Sequence, residues 1–202
     1  MLSNFNIKVD KFVYINFFSF IDVIDELGGI EVTVSEAEMK AMNKNFAEIN
    51  HYLGDPEEDG VMTKSGVQTL SGKQALAYSR IRYLKGSDFA RTERQRIVLE
   101  QMIEKVKDCN LLELTWLADK VLELVTTNIP KSEIKSLLLD SITYLKYDVE
   151  QLRVPMNGTY TPLEVRGTQV LGIDFKENIK YIGENIYGKV YEEDKKEAKN
   201  NE

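Results

Sequence analysis

The pattern of apolar and polar positions at the start of the chain predicts a strand, a helix and a second strand. Residues 12–17 are rich in aromatic and β-branched side chains, which is typical of a buried strand. A helix is expected from Ser19 to about Leu27, ended by Gly28-Gly29, and residues 30–34 alternate in the manner of a strand. Because a strand–helix–strand unit with a short crossover usually pairs its strands in parallel, we expect both strands in one sheet with the helix on its face.

The next segment predicts two helices separated by an irregular loop. Residues 35–60 are polar and indicate a helix followed by an irregular excursion. Ser71 and Gln74 have the spacing of a capping box, so a short helix is expected to begin there and to run through Tyr78. That helix leads directly into an arginine-rich segment.

Apolar side chains at helical spacing predict further helices in the second half of the chain. Phe89–Lys107 and Leu111–Val125 each carry an apolar stripe, which is expected to pack into the core of the same domain rather than to form a lipid groove. A third helix is expected at Ser132–Tyr144, with Ser132 as its N-cap. The remaining elements are expected at 149–154 (strand), 161–165 (strand) and Phe175–Tyr187 (helix).

These elements favour one domain over residues 1–188. Its expected class is α/β, with a mixed sheet packed between helices. A chain of 202 residues with 43% hydrophobic residues is long enough to bury such a core. Residues 189–202 mix charges with almost no apolar side chains, so we expect a disordered tail there.

Charge and cysteine content exclude several classes of site. A formal net charge of -7 and a pI of about 5.0 argue against general nucleic-acid binding, which needs a dominant basic face. Cys109 is the only cysteine, so neither an internal disulfide nor a zinc site built from cysteine pairs is possible. The printed sequence has no apolar run long enough to span a bilayer and no secretion signal at its start. Any basic site is therefore small and specific.

One segment opposes the acidic balance of the chain and predicts an anion site. Its arginines lie at positions 80, 82, 91, 94 and 96. Two of them, Arg80 and Arg82, share a face if the segment is extended, whereas Arg91, Arg94 and Gln95 share one face of a helix. Between the two groups, residues 85–88 form an expected turn in which Ser87 or Asp88 caps the following helix. Guanidinium groups match the paired oxygens of phosphate or carboxylate, so both groups are expected to converge on one polyanion.

The same charges have a simpler interpretation, which the sequence leaves open. Arginines close to Glu93, Glu100 and Asp88 can form a solvated helix face held by weak surface ion pairs. Asp88 is likewise more often a plain N-cap than a catalytic group. Composition alone does not decide between a polyanion site and a salt-bridged face.

Three segments, in this order, resemble the LytR-CpsA-Psr domain. They are VIDELGGIEV at 23–32, LSGKQALAYSRIR at 70–82 and GSDFARTERQ at 86–95. Residues 152–155 and 158–160 look like the closing strands of that domain. At the level of motifs the resemblance covers roughly residues 7–108, and it implies a LytR-CpsA-Psr-like α/β fold that lacks its N-terminal strands.

The resemblance implies a phosphotransferase of Gram-positive-type cell envelopes. Members of the family bind polyprenyl pyrophosphate lipids and transfer the attached glycopolymer, such as wall teichoic acid or capsular polysaccharide, to a peptidoglycan hydroxyl. The implied partners are the lipid-linked glycan, the peptidoglycan acceptor and the membrane surface that holds the lipid, without nucleic acid. The implied location is the extracellular face of the cytoplasmic membrane, with the full-length protein anchored there.

The resemblance also implies roles for individual side chains. By matching positions, the pyrophosphate-binding set is Arg80, Arg82, Arg91 and Gln95, with Arg94 added from the same predicted helix face. The implied catalytic residues are Arg91 and Asp88. We weigh an orienting role for Asp88 above proton transfer, because an aspartate beside several arginines has a lowered pKa and is a poor base near neutral pH.

The sequence departs from the family pattern at its start. In the family, the strands that precede the matched region carry an arginine and the aspartates that bind Mg²⁺, and a transmembrane helix lies further upstream. Mg²⁺ is therefore the implied cofactor, but its ligands are expected to be missing from this chain. We expect the chain alone to bind pyrophosphate weakly and to lack transferase activity until that half is supplied. The alternative is a non-catalytic lipid-linked glycan-binding or regulatory homologue.

Overall fold

The computed structural model describes residues 2–82, 84 and 87–188, with the side chains of residues 2, 3, 87, 88 and 142 outside that description. The chain divides into a larger unit, Lys11–Glu150, and a smaller unit formed by the segments on either side of it. The tail expected at 189–202 lies outside the described residues.

The secondary structure alternates helices with short strands. In chain order the elements are α1 (Leu2–Phe5), β1 (Val13–Tyr14), α2 (Phe17–Glu26), β2 (Ile30–Val34), α3 (Glu36–Leu53), β3 (Gly66–Leu70), α4 (Gly72–Ser79), α5 (Ser87–Lys107), α6 (Leu111–Leu124), β4 (Thr126–Thr127), α7 (Lys131–Tyr144), β5 (Tyr160–Val165), β6 (Thr168–Ile173) and α8 (Phe175–Ile186). Among the described residues the strands form three antiparallel pairs, β1–β4, β2–β3 and β5–β6. The expected α/β class is therefore confirmed.

The predicted parallel pairing of the first two strands is wrong. β2 does form at the expected residues, with Ile30, Val32 and Val34 buried, but it pairs antiparallel with β3. β1 is only two residues long, and Val13 and Tyr14 are 61% and 60% exposed, so the buried strand over 12–17 is wrong as well. The reason is local: the Asn16 side chain accepts a hydrogen bond from the Ser19 backbone N–H at 2.9 Å, which starts α2 at Phe17 and ends the extended segment early.

The smaller unit contains a hairpin of which the sequence pattern predicted one strand, β5, but not the other, β6. Residues 149–154 are not a strand; β5 pairs with β6, joined by a turn at Arg166 and Gly167 with φ of 52° and 76°. The segment after residue 154 is held by a side chain and not by strand pairing. The Met156 N–H donates to the buried Asn178 side chain on α8 at 2.8 Å.

Side-chain caps fix the helices that lead to the arginine-rich segment. Ser71 and Gln74 form the expected capping box of α4, and Ser35 and Glu38 form another at the start of α3. α5 begins at Ser87, close to the expected residue. The N-cap of α7 is Pro130 rather than Ser132, since the Pro130 carbonyl already accepts the first helical hydrogen bonds.

The hydrophobic core of the larger unit lies between β2 and helices α2 to α5. Its fully buried side chains include Ile24, Ile30, Phe46 and Leu70. The stripe of α5 contributes Val98 to this core, as expected. The stripe of α6 is only partly buried: Leu114 is 4% exposed, Leu117 and Val121 are half-buried, and Leu112 is 82% exposed. α6 packs against α2 and α7.

A glycine allows α2 and α4 to approach closely. A methyl group at Gly72 would lie 2.1 Å from the Ile21 carbonyl oxygen, far inside van der Waals contact. The Gly72 N–H donates to Asp25 Oδ1 at 2.7 Å, so a side chain of α2 caps the first turn of α4. Both contacts depend on a bare backbone at this position.

We predict that Gly72→Ala destabilises the chain by about 3 kcal/mol, because the obstacle is backbone rather than a movable side chain. Chemical denaturation would measure the loss. Gly54→Ala is the matched control: Gly54 has φ of 76°, and no atom lies within 4 Å of the place that a methyl group would take, so only backbone strain of about 1 kcal/mol is expected. Equal losses for the two variants would contradict close helix packing at Gly72.

Candidate anion-binding site

Arg80 lies where three helices meet. It follows the last residue of α4, and its backbone N–H donates to the Leu76 carbonyl at 3.1 Å. Its guanidinium donates to Glu48 Oε1 on α3 at 2.9 Å and lies 5.1 Å from the ring centre of Phe17, the first residue of α2. The side chain is half-buried.

The residues after Arg80 alternate between solvent and core. Ile81 is 1% exposed, whereas Arg82 is exposed. Arg82 makes no ion pair with any residue that the structure describes, so its charge is available to a ligand. Burial of Ile81 therefore fixes the backbone between two arginines whose side chains lie outside the core.

The second group of candidates lies on one continuous helix, as the spacing predicts. Arg91, Arg94 and Gln95 all belong to α5. Gln95 is exposed and Arg91 is half-buried, but Arg94 is 7% exposed. The members of the predicted face therefore differ in how far they reach solvent.

Arg94 is held by two protein acceptors. Its Nε donates to Glu38 Oε1 at 2.9 Å, and its Nη1 donates to the Ile81 carbonyl at 3.4 Å. These contacts connect α5 to α3 and to the backbone between Arg80 and Arg82. They favour a different role for Arg94 from the direct pyrophosphate contact implied by its helix face.

The expected turn between the two groups is only partly described. Lys85 and Gly86 lie outside the described residues, and so do the side chains of Ser87 and Asp88. The backbones of Ser87 and Asp88 form the first turn of α5. The capping role of either residue and the catalytic role of Asp88 stay predictions.

The simpler salt-bridge interpretation fits Arg96. Arg96 forms an ion pair with Glu93, three residues earlier on α5. Arg80 and Arg94 instead bind glutamates of α3, at 32 and 56 residues' separation. The arginine segment is therefore built into the tertiary structure, rather than being only a solvated helix face.

Burial and hydrogen bonding act in opposite directions on Glu38. Burial by itself raises the pKa of this carboxyl, but hydrogen bonds from Ser35 and Arg94 outweigh it and leave the pKa below its ordinary value. Nearby Tyr78 is 2% exposed, and burial together with the Glu38 charge raises the pKa of its hydroxyl to about 12. Glu38 is therefore ionised and Tyr78 neutral at physiological pH.

Sequence reasoning missed the two glutamates that hold the arginines. The Ser-x-x-Glu spacing of Ser35 and Glu38 is a capping-box signal that was available in the sequence. No local signal pairs Glu38 with Arg94 or Glu48 with Arg80, because these contacts join residues far apart in the chain.

The described residues do not fit a Mg²⁺ site. Across 2–82, 84 and 87–188, no cluster of three or more His, Cys, Asp or Glu side chains has an arrangement that would hold a metal ion. The two acids beside the arginines, Glu38 and Glu48, are engaged by guanidinium groups. We therefore derive no step through a metal from these residues.

Comparison with known proteins agrees with the motifs. The LytR_cpsA_psr family model matches residues 1–182, and the chain belongs to this family. A relative in Bacillus subtilis, the polyisoprenyl-teichoic acid–peptidoglycan teichoic acid transferase TagV, is 33% identical over 129 residues, which are 63% of this chain and 30% of TagV. The chain spans about a third of the length of the curated relatives it matches.

Solved structures have the same fold. TagT bound to LI-WTA has a TM-score of 0.68 and 26% identity, over 94% of this chain and 64% of that one. TagT with bound octaprenyl pyrophosphate lipid has a TM-score of 0.60 and 27% identity, over 90% of this chain and 61% of that one. These matches confirm the LytR-CpsA-Psr-like fold.

A membrane-spanning helix is not found in the described part of the chain, where every helix is too short or too polar to cross a bilayer.

The Glu38–Arg94 pair predicts an acid-sensitive contribution to stability. Because the folded pKa of Glu38 lies below 4.5, the ionised carboxylate stabilises the fold above that pH, and this contribution is lost as the pH falls through the folded pKa. Melting temperatures between about pH 7 and pH 3 are expected to fall more steeply for the unmodified chain than for Glu38→Gln. Glu36→Gln is the control, since the pair of Glu36 with Lys40 is exposed and screened. Parallel curves for the chain and Glu38→Gln would contradict the assignment.

Proposed function

We propose that this chain supplies the arginine-bearing part of a glycopolymer transferase site. The ligand is a polyprenyl pyrophosphate-linked glycopolymer, of the teichoic acid or capsular polysaccharide type, and the acceptor is a peptidoglycan hydroxyl. The site works at the extracellular face of the cytoplasmic membrane, where the lipid substrate is held. Family membership supports the proposal, as do the transferase activity named for TagV and the octaprenyl pyrophosphate bound to TagT.

One observation carries the proposal to individual residues. The Ile81 carbonyl, between Arg80 and Arg82, accepts a hydrogen bond from Arg94 of α5, the helix that also carries Arg91. The two arginine groups are therefore fixed to each other through backbone and helix. A diphosphate needs several guanidinium groups at one place, and this connection supports a common site for the two groups.

The reaction that fits such a site is phosphoryl transfer. The acceptor hydroxyl oxygen attacks the phosphorus that carries the glycan, and the bond from that phosphorus to the bridging oxygen breaks. Polyprenyl phosphate leaves with the bridging oxygen, and the hydroxyl proton passes to the released phosphate or to solvent. Negative charge then accumulates on the bridging and non-bridging oxygens, where fixed guanidinium groups stabilise it. We assign Arg80, Arg82 and Gln95 to binding the diphosphate and Arg91 to the developing charge. Asp88 orients an arginine.

We expect Arg82→Ala to weaken pyrophosphate binding at least about tenfold, since a charge-assisted hydrogen bond contributes about 1.5 to 3 kcal/mol. Arg80→Ala is expected to act in the same direction. Titration calorimetry with sodium pyrophosphate and with a short-chain prenyl pyrophosphate, each with and without Mg²⁺, measures the effect. Arg153→Ala, in the smaller unit, controls for the loss of one positive charge.

Equal affinity in the chain and all three variants would remove the arginines from the site. Binding of the prenyl pyrophosphate by a full-length protein that never transfers glycan would favour the non-catalytic alternative. A complex with nucleic acid that survives excess pyrophosphate would favour the regulatory one.

Glu48 is expected to compete with the ligand for Arg80. Its side chain is 54% exposed and accepts a hydrogen bond from the Arg80 guanidinium, so a diphosphate that binds this guanidinium has to share or displace it. Glu48→Gln is therefore predicted to strengthen pyrophosphate binding by about two- to fivefold, the equivalent of one exposed ion pair. The same calorimetry measures this change, with Glu36→Gln on the same helix as the control for lost negative charge. Weaker or unchanged binding by Glu48→Gln would contradict competition.

A further inference from the structure

We propose that Arg94, together with Glu38, is a positioning residue that holds the Arg80–Arg82 segment against α5 and does not contact the diphosphate. The inference rests on the proposed function of Arg80 and Arg82 as diphosphate ligands. It assigns a specific task to the one arginine of the segment that is buried.

The contacts of Arg94 reach three elements at once. Nε donates to Glu38 near the start of α3, and Nη1 donates to the carbonyl of Ile81, while the residue itself belongs to α5. A planar guanidinium presents donors in fixed directions, so it sets the distance and the angle between its acceptors. Lysine carries the same charge but has no such fork.

The Ile81 carbonyl is a sensitive place to hold the chain. The Ile81 side chain is buried, and the backbone N–H groups of Arg80 and Ile81 donate to carbonyls of α4 at 3.1 and 3.3 Å. The hydrogen bond from Arg94 restrains the Ile81 backbone at its carbonyl as well. Together these bonds fix the directions in which the side chains of Arg80 and Arg82 leave the backbone.

Direct binding of a phosphate by Arg94 would disturb its own support. Its side chain and that of Glu38 are 9% and 18% exposed, so the pair lies mostly out of water. A guanidinium that turned to a ligand would leave the mostly buried Glu38 carboxylate with its Ser35 hydrogen bonds but without the opposite charge, which is unfavourable. Binding of a phosphate by Arg82 has no such cost, because no described residue makes an ion pair with its guanidinium.

A buried ion pair of this kind also contributes little net stability to a fold. Removal of two charges from water costs much of what their attraction returns, and apolar side chains of similar size often stabilise a fold equally well. The pair instead selects one arrangement of α3, α5 and the 80–82 segment. That arrangement sets the orientation of Arg80 and Arg82, the residues that bind the diphosphate.

Glu38→Gln separates the two possible roles by the sign of its effect. If Arg94 were a ligand, the loss of its carboxylate partner would free it and leave pyrophosphate binding equal or stronger. If Arg94 positions the segment, Glu38→Gln weakens binding, and so does Arg94→Lys, each by about five- to tenfold, the size typical of a broken contact network. Glu36→Gln, two residues from Glu38 on α3, is expected to leave binding unchanged.

The double variant Glu38→Gln, Arg94→Lys tests whether the two side chains act as one unit. We expect it to bind pyrophosphate about as weakly as either single variant, because the same restraint is lost in each case. Fully additive losses would show independent roles and would overturn the proposal.

Hydrogen exchange provides a readout that does not depend on ligand. In Arg94→Lys the amides of Arg80 and Ile81 are expected to exchange faster, relative to the amides of β2, because only the local restraint is lost. A purely global loss of stability would speed exchange at both places alike. That result would overturn a positioning role even if binding were weakened.

The failure of this inference differs from the failure of the proposed function. If Arg82→Ala leaves pyrophosphate binding unchanged, the arginine site itself is wrong. If Arg82→Ala weakens binding while Glu38→Gln leaves it equal or stronger, the site stands and the positioning role is wrong.

Discussion

The close contact of α2 with α4 is the constraint on which the candidate site depends. Gly72 lets the start of α4 approach the backbone of Ile21, and Asp25 near the end of α2 caps that start. The two helices therefore run antiparallel, which brings the end of α4 to the beginning of α2. Arg80 accordingly lies over the ring of Phe17. The proposed anion site at one end of this helix pair thus depends on a missing side chain at the other end.

Local signals predicted the helices of the larger unit well. The capping box of Ser71 and Gln74 and the glycines after α2 fixed boundaries to within about two residues, because caps and left-handed turns act within a few positions. Strand pairing was predicted poorly. β3 has polar side chains at Gln68 and Thr69 and no alternating apolar pattern, so only its ladder with β2, which is a non-local contact, makes it a strand.

The site shows the same division between local and non-local information. The sequence placed Arg91, Arg94 and Gln95 on one helix, and the structure agrees. It gave no means of distinguishing Arg94 from its neighbours, since the difference comes from Glu38, which lies on α3. Helical spacing predicts which side chains share a face, but only the packed neighbours decide which part of that face is buried.

Two glutamates of α3, Glu38 and Glu48, explain how a chain with a net charge of -7 can hold several arginines in one segment. Glu38 is mostly buried and keeps Arg94 in place, whereas Glu48 is exposed and can give way to a ligand. A nucleic acid lying along the surface would meet the surrounding excess of acids and be repelled. The diphosphate end of the proposed ligand instead concentrates its charge in one group beside an apolar lipid chain, so a local group of arginines can bind it. The acidic balance of the chain therefore argues against general nucleic-acid binding, whereas the proposed diphosphate site needs only a local group of arginines.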